Sequence, residues 1–403
     1  MAAALDRIRV LDLSRVLAGP WATQMLGDFG AEVIKIERPG SGDDTRAWGP
    51  PFLADGDGQA TGESAYYLCT NRAKKSVTID MAQAEGQRLV RELALRSDVV
   101  IENFKVGALK KYGLDYESIR AVNPGVIYCS ITGFGQDGPF ADRAGYDFMI
   151  QGMGGLMGIT GEPAGEPVKV GVAVADLFTG MYAANAILAA LMYRSRTGEG
   201  QAIDIALLDS QIAMLANVAS NYLVGGKLPR RYGNAHANIV PYQAFPCRDG
   251  HIILAVGNDG QFARFCEVAG RPDLAADERY ATNPARVAHR DELVAIIAGI
   301  MRGSDLAEWI AALEAAGVPC GPINALDAVF DHPQVKARGT RVAVPHAAGV
   351  TVPLVANPVK FSATPVEYDS APPLLGQHTR EVLAEVLGLA SAEIDRLAAA
   401  GVI

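Results

Sequence analysis

Between Val170 and Gly180 the chain carries a single charge, Asp176. Small and apolar residues lead up to it, and a long apolar run from Met181 to Tyr193 follows. A carboxylate so placed has two readings. Asp is a favoured N-cap, and the pattern predicts a helix from Leu177. The positive end of that helix is expected to keep the carboxylate ionised. An ionised carboxylate approached through Gly, Ala and Val is also a possible nucleophile toward an activated acyl group. On this stretch alone both readings stay open.

Two further segments invite chemistry. Gly257–Gln261 is either an ordinary turn or a mobile glycine-bearing loop, with Gly257 and Gly260 offering N–H groups to an oxyanion. His236, in the polar run Gly233–Asn238, is a general base, a substrate partner or a structural residue. The six histidines are scattered and the five cysteines show no CxxC spacing, so no metal site is expected. The cysteines read as reduced thiols in a cytoplasm-like compartment.

Cations gather where strands are expected to end: Arg38, Arg72, Lys74, Lys75, Lys105 and Lys111. Ligands of α/β sheets bind outside the carboxyl ends of strands, where Arg and Lys suit phosphate groups. Any one of them alone reads as a solvated surface charge. Together they point to a phosphorylated ligand. The net charge of −9 argues against nucleic acid as that ligand.

The elements that must position these residues alternate. Ile8–Leu13, Glu32–Ile36, Asp98–Ile101 and Gly125–Ile131 read as strands, with helices predicted over Ala22–Phe29, Ala82–Arg96 and a pair at about 107–122. This is an α/β rhythm with a mainly parallel sheet. A dinucleotide reading fails at Ser14–Pro20, which lacks G-x-G-x-x-G and so gives pyrophosphate no evident seat. A helical region is expected from about 177 to 224, broken near 194–200. Residues 1–222 read as a large domain, 226–325 as a smaller α+β domain, and 330–403 as a return segment. No leader is expected in the N-terminal residues, and the run from Met181 reads as too short and mixed for a membrane span.

Taken in order, several stretches resemble the class III CoA-transferase family: Leu11–Pro20, Gly30–Gly40, Asn71–Ser76, Glu102–Gly107, Ser130–Pro139, Gly145–Asp147 and the segment around Asp176. The resemblance implies a Rossmann-like large domain built from both chain ends, a small domain, and an interlocked homodimer. It implies Asp176 as the catalytic aspartate, and Gly257 and Gly260 in the loop over the site. Val16, Ala18, Arg38, Lys75, Asn103, Phe104 and Lys111 match CoA-contacting positions, and Arg72 joins them from the cation cluster. CoA thioester is then a substrate, with no permanently bound cofactor. The mechanism implied runs through an aspartyl anhydride and an aspartyl-CoA thioester.

Racemases of the same superfamily carry Gly-His-Asp where this chain has Gly145–Tyr146–Asp147. A tyrosine with pKa of about 10 is a poor base at neutral pH, which favours transfer. A non-catalytic acyl-CoA binder is the other alternative. The segment Tyr232–Phe245 looks like the succinyl-CoA:dicarboxylate branch, whereas Gly257–Gly260 lacks the four glycines of the formyl/oxalate branch. Arg143, Arg231 or His236 is expected to meet the distal carboxylate, with Tyr146 nearby.

Overall fold

The computed structural model describes residues 3–403, and these form two compact units. The first unit runs to Gly154, then resumes over Val170–Leu215 and Pro333–Ile403. The second comprises Gly155–Lys169 and Ala216–His332. The loop Gly155–Lys169, expected in the large domain, therefore belongs to the second unit.

The first unit is built on a six-stranded sheet: β1 (Arg9–Asp12), β2 (Glu32–Glu37), β3 (Lys74–Thr78), β4 (Val99–Glu102), β5 (Ile127–Thr132) and β6 (Gln201–Ala206). The strand order is 3-2-1-4-5-6 and every neighbouring pair is parallel. Adjacent residues of a strand point to opposite faces, so Val10 and Leu11 feed different cores. Leu11, Ile34 and Val100 meet Leu89, Val90 and Leu93 of helix α2 (Ala84–Leu95), together with Val382 and Leu397 from the C-terminal helices. Val10, Val33, Val99 and Ile127 meet Ala22 and Leu26 of α1 (Ala18–Asp28). Both ends of the chain thus complete one layer.

Two further helices matter to the site. They are α3 (Asp147–Met153) and α4 (Val174–Thr197). Ala183, Ala184 and Ile187 of α4 share the core of α1. The helix is 24 residues long, and the mean hydropathy of 1.5 belongs to its most apolar 18-residue stretch. Its packing against α1, α3, β5 and β6 accounts for the apolar face it buries.

Besides the start of α4, three elements differ from expectation. α1 begins at Ala18, not Ala22, because Pro20 falls in the first turn, where its missing N–H has no intrahelical partner to lose. β6 lies inside a segment read as helical. It is an edge strand, paired only with β5, so its sequence lacks the apolar run that marks a doubly covered strand. β3 opens on two lysines, which hide its strand character. Lys74 is nonetheless buried, its ammonium bonded to Asp12 (3.3 Å), Pro20 O (2.9 Å) and Asn71 (2.9 Å).

The second unit has an antiparallel sheet of β7 (Tyr242–Cys247), β8 (Gly250–Ala255) and β9 (Cys320–Pro322), ordered 9-8-7. Its core gathers Phe245, Ile252, Leu254, Phe262, Phe265, Leu293 and Ile297. All five cysteines are free thiols.

Candidate active site

Strand order reverses between β1 and β4, and their carboxyl ends open a crevice there. A cavity of about 420 Å3 fills it. Residues Arg15–Ala18 after β1, Asn103–Val106 after β4 and Ile131–Gly133 at the end of β5 line it, with Arg143–Tyr146 and Asp176 completing the wall. The position is that of a nucleotide site, reached without the glycine fingerprint.

The loop after β1 is held under strain. Val16 has φ of +70°, unusual for a β-branched residue. Its N–H reaches both oxygens of Asp43 at 3.2 Å. Asn103 clamps the preceding residue from both sides, accepting from Arg15 N (2.9 Å) and donating to Arg15 O (2.7 Å). Buried Lys35 ties the loop to its support, donating to Ser14 O (2.8 Å) and Asp43 (2.9 Å). Burial opposes both charges, yet their mutual attraction leaves Lys35 raised and Asp43 lowered to about 2. Phe104 N donates to the carboxylate of Glu102 at 2.7 Å, and burial pushes Glu102 up to about 6.

Asp176 is not the N-cap of α4. The helix starts at Val174 with Ala173 in the cap position and no side-chain cap bond of its own. Asp176 therefore sits in the first turn. The cap comes from a distant residue: Asp147 Oδ1 accepts from Ala175 N (2.8 Å) and, more weakly, from Asp176 N (3.4 Å). Among the described residues no hydrogen bond or ion pair reaches the carboxylate of Asp176. Burial, and secondarily the charge of Asp147, push its pKa up to about 7. This reverses the expectation of a carboxylate kept acidic by the helix terminus: desolvation outweighs the dipole where another acid has taken the free N–H groups.

Tyr66 was not singled out by sequence. Its phenol is pushed up to about 12, first by burial and then by the charge of Asp176, so the two are neighbours. Trp48 meets its ring edge-on at 5.1 Å. No local signal marks Tyr66, because the Gly- and Pro-rich excursion before it hides where that loop returns. Asp147 carries a signal, its place in Gly145–Tyr146–Asp147, but nothing in that motif shows that it caps a helix 28 residues on.

The expected CoA-contacting residues divide by sheet edge. Val16, Ala18, Asn103 and Phe104 line the crevice, and Lys105 and Arg143 supply cations beside them. Arg143 stacks over Phe140 at 4.4 Å. Tyr146 is 67% exposed in the same wall. Arg38 follows the carboxyl end of β2 and is exposed. Lys111 is exposed too, its ammonium 4.6 Å from the ring of Tyr112. Arg72 and Lys75 do not fit the expectation. β3 starts at Lys74, so both lie at its amino end, the wrong edge for a ligand of a parallel sheet. Arg72 is buried against Asp28 by two bonds (2.7 and 2.6 Å) and donates to Val355 O. Lys75 is spent on Glu32 (3.1 Å) and Glu381 (2.8 Å).

The remaining candidates belong to the second unit. Gly257 and Gly260 are not in a free loop. Asn258 caps helix α5 (Asp259–Val268), accepting from Gln261 N at 2.9 Å, and Gly257 N donates to Gln261 at 2.7 Å. Gly260 lies in the first turn of α5. Buried Arg286 anchors Asp259 at 2.7 Å. His236 Nδ1 accepts from Asn238 N at 3.0 Å, and its ring meets Tyr242 edge-on. Arg231 is committed to the carbonyls of Glu162 (3.1 Å) and Gly165 (2.6 Å).

A lone, unpartnered carboxylate at a crevice with cations and a strained, clamped loop suits acyl transfer from a phosphorylated thioester. Comparison with known proteins agrees. Residues 5–379 match the model of CoA-transferase family III. A succinate–glutarate CoA-transferase of Agrobacterium fabrum is 56% identical over 382 residues, 95% of each chain. A succinyl-CoA:glutarate CoA-transferase of Homo sapiens is 46% identical over 399 residues, 99% of this chain and 90% of the human one. The crystal structure of a CAIB/BAIF family protein from Brucella suis superposes with a TM-score of 0.84 at 51% identity, covering 96% of this chain and 100% of that one. The resemblance read from the motifs therefore holds over nearly the whole length, and the chain is a CoA-transferase of family III.

Proposed function

We propose that the protein moves coenzyme A from succinyl-CoA to glutarate or a similar short dicarboxylate, with Asp176 as the nucleophile. The observation that carries the reading is the Asp176 carboxylate: half-buried in the crevice and bonded to none of the described residues. The substrates follow from the names borne by relatives at 56% and 46% identity.

The chemistry balances in four steps. The Asp176 carboxylate attacks the succinyl thioester carbon and expels CoA thiolate, leaving a mixed anhydride. The thiolate attacks the aspartyl carbonyl, giving an aspartyl-CoA thioester and free succinate. Glutarate attacks that thioester and releases thiolate again, forming a second anhydride. The thiolate then takes the glutaryl group, and Asp176 returns as a carboxylate. Acyl activation is conserved without ATP. A carboxylate with pKa near 7 is more nucleophilic than an ordinary one and still substantially ionised at neutral pH. CoA is seated by Val16, Ala18, Asn103 and Phe104, with Lys105, Arg143, Arg38 and Lys111 toward its phosphates. The lining of the crevice contains no histidine to serve a racemase.

The protein works as an interlocked homodimer in a reducing, cytoplasm-like compartment. Support for the first comes from the family and from apolar surface left uncovered by one chain, and for the second from five free cysteines.

Incubation with succinyl-CoA and a panel of carboxylic acids, read by mass spectrometry, tests the assignment. Glutaryl-CoA is the expected product, and transfer to no dicarboxylate overturns the substrate reading. Asp176→Asn is expected to lose at least about a thousandfold in turnover. Near-normal turnover returns Asp176 to a structural role.

A further inference from the structure

We propose that Asp147 is a positioning residue for Asp176, gripping the first turn of α4 from outside while its charge tunes the carboxylate that the turn carries. The inference rests on Asp176 being the nucleophile.

The geometry is a two-residue clamp. Asp147 and Gln151 lie one turn apart on α3. Asp147 Oδ1 holds the N–H groups of Ala175 and Asp176, and its Oδ2 accepts from Gln151 Nε2 at 2.7 Å. Gln151 is fully buried; its Oε1 accepts from Val170 N at 2.9 Å and its Nε2 lies 3.5 Å from Val172 O. One helix thereby grips both ends of the segment Val170–Asp176. The free N–H groups at a helix start need an acceptor, and an acid in the first turn is a natural one. Because Asp147 fills that role, the Asp176 carboxylate is left for an acyl carbon.

The same placement has an electrostatic result. A second carboxylate beside Asp176 disfavours its ionised form. The other ionisable groups around it are Tyr66 on the helix Ala65–Leu68, Tyr146 before α3, and Arg15, Asp44, Lys105 and Arg143 along the crevice. None of these cations forms an ion pair with Asp176 among the described residues, and Asp147 is the charge that, after burial, raises its pKa.

The test is the pH profile of kcat/KM for CoA transfer, from pH 5 to 9, in Asp147→Asn and Asp147→Ala. Asn keeps an oxygen acceptor for Ala175 N and removes the charge. Its acid limb should move down by about one pH unit, so at pH 6 its rate relative to its own plateau rises several-fold. Ala removes the acceptor too, and kcat should fall about a hundredfold while KM for succinyl-CoA changes by less than about threefold. An unmoved acid limb in Asp147→Asn overturns the proposal, as does a wild-type kcat in folded Asp147→Ala. If Asp147→Ala does not fold, the limb of Asp147→Asn decides alone. Loss of transfer in Asp176→Asn with an unmoved limb in Asp147→Asn discards only this proposal. Retained transfer in Asp176→Asn discards the nucleophile itself.

Discussion

Burying a carboxylate with no donor on it makes the folded state prefer the protonated acid. Asp176 is raised from 3.8 to about 7 on folding, so between those values the folded chain holds a proton that the unfolded chain releases. Stability tied to this residue is complete below the unfolded value and is lost as pH rises through 7. The cost above that pH has a ceiling of about 4 kcal/mol, at about 1.4 kcal/mol per pKa unit. Asp176→Asn removes it. The variant should therefore melt higher than the parent at pH 8, with the gain shrinking toward pH 4. Thermal melts of both proteins at three pH values check this, and a gain independent of pH would point to packing instead. The proposed nucleophile is thus predicted to be a point where stability was given up for reactivity.

At the scale of elements, small residues decide how close α1 and α4 come. A Cβ at Gly180 would lie 2.6 Å from Ala18 O and 3.1 Å from Trp21, one turn beyond Asp176. Gly180 therefore sets the distance between α4 and the loop Arg15–Ala18. Ala in place of Gly normally gains up to about 1 kcal/mol in a helix. Here the backbone collision should cost about 1–3 kcal/mol and win. Gly180→Ala should lower both the melting temperature and kcat/KM. Gly299, in the helix Arg290–Met301 with nothing within 4 Å of a Cβ, is the control, and Gly299→Ala should raise the melting temperature. Such approaches explain what was and was not legible in the sequence. β1, β2, β4 and β5 announced themselves through aliphatic runs such as Val10–Leu11, Val33–Ile34 and Val99–Ile101. β3 and β6 did not, because both are edge strands and neither carries two branched aliphatic residues in a row. Val16, Ala18, Asn103, Phe104 and Asp176, all drawn from motifs, line one crevice. Arg72 and Lys75 were misplaced because a run of cations beside a strand does not say which end of the strand it precedes. The cap supplied by Asp147 spans 28 residues and has no local pattern at all.

On the scale of the whole molecule, one chain leaves apolar surface that its own fold does not use. Met181, Tyr182, Met192 and Tyr193 form an exposed stripe on α4, and an apolar hollow of about 820 Å3 adjoins Met181. In the second unit Leu223, Val224 and Leu228 are 79–90% exposed. Large apolar side chains left exposed in clusters mark interfaces in soluble proteins. A homodimer twice the 42.5 kDa chain mass is the expected species. An interlocked dimer makes a stronger demand than a side-by-side one. Two ordinary subunits separate and re-pair by dissociation, at a rate set by their interface. Linked chains cannot part until at least one of them opens its fold. Mixing tagged and untagged dimers in native buffer should therefore give no mixed species over days, even at nanomolar concentration. Unfolding in guanidinium and refolding the mixture should then give the one-to-two-to-one distribution of random pairing. Exchange within hours under native conditions would leave a dimer but remove the link.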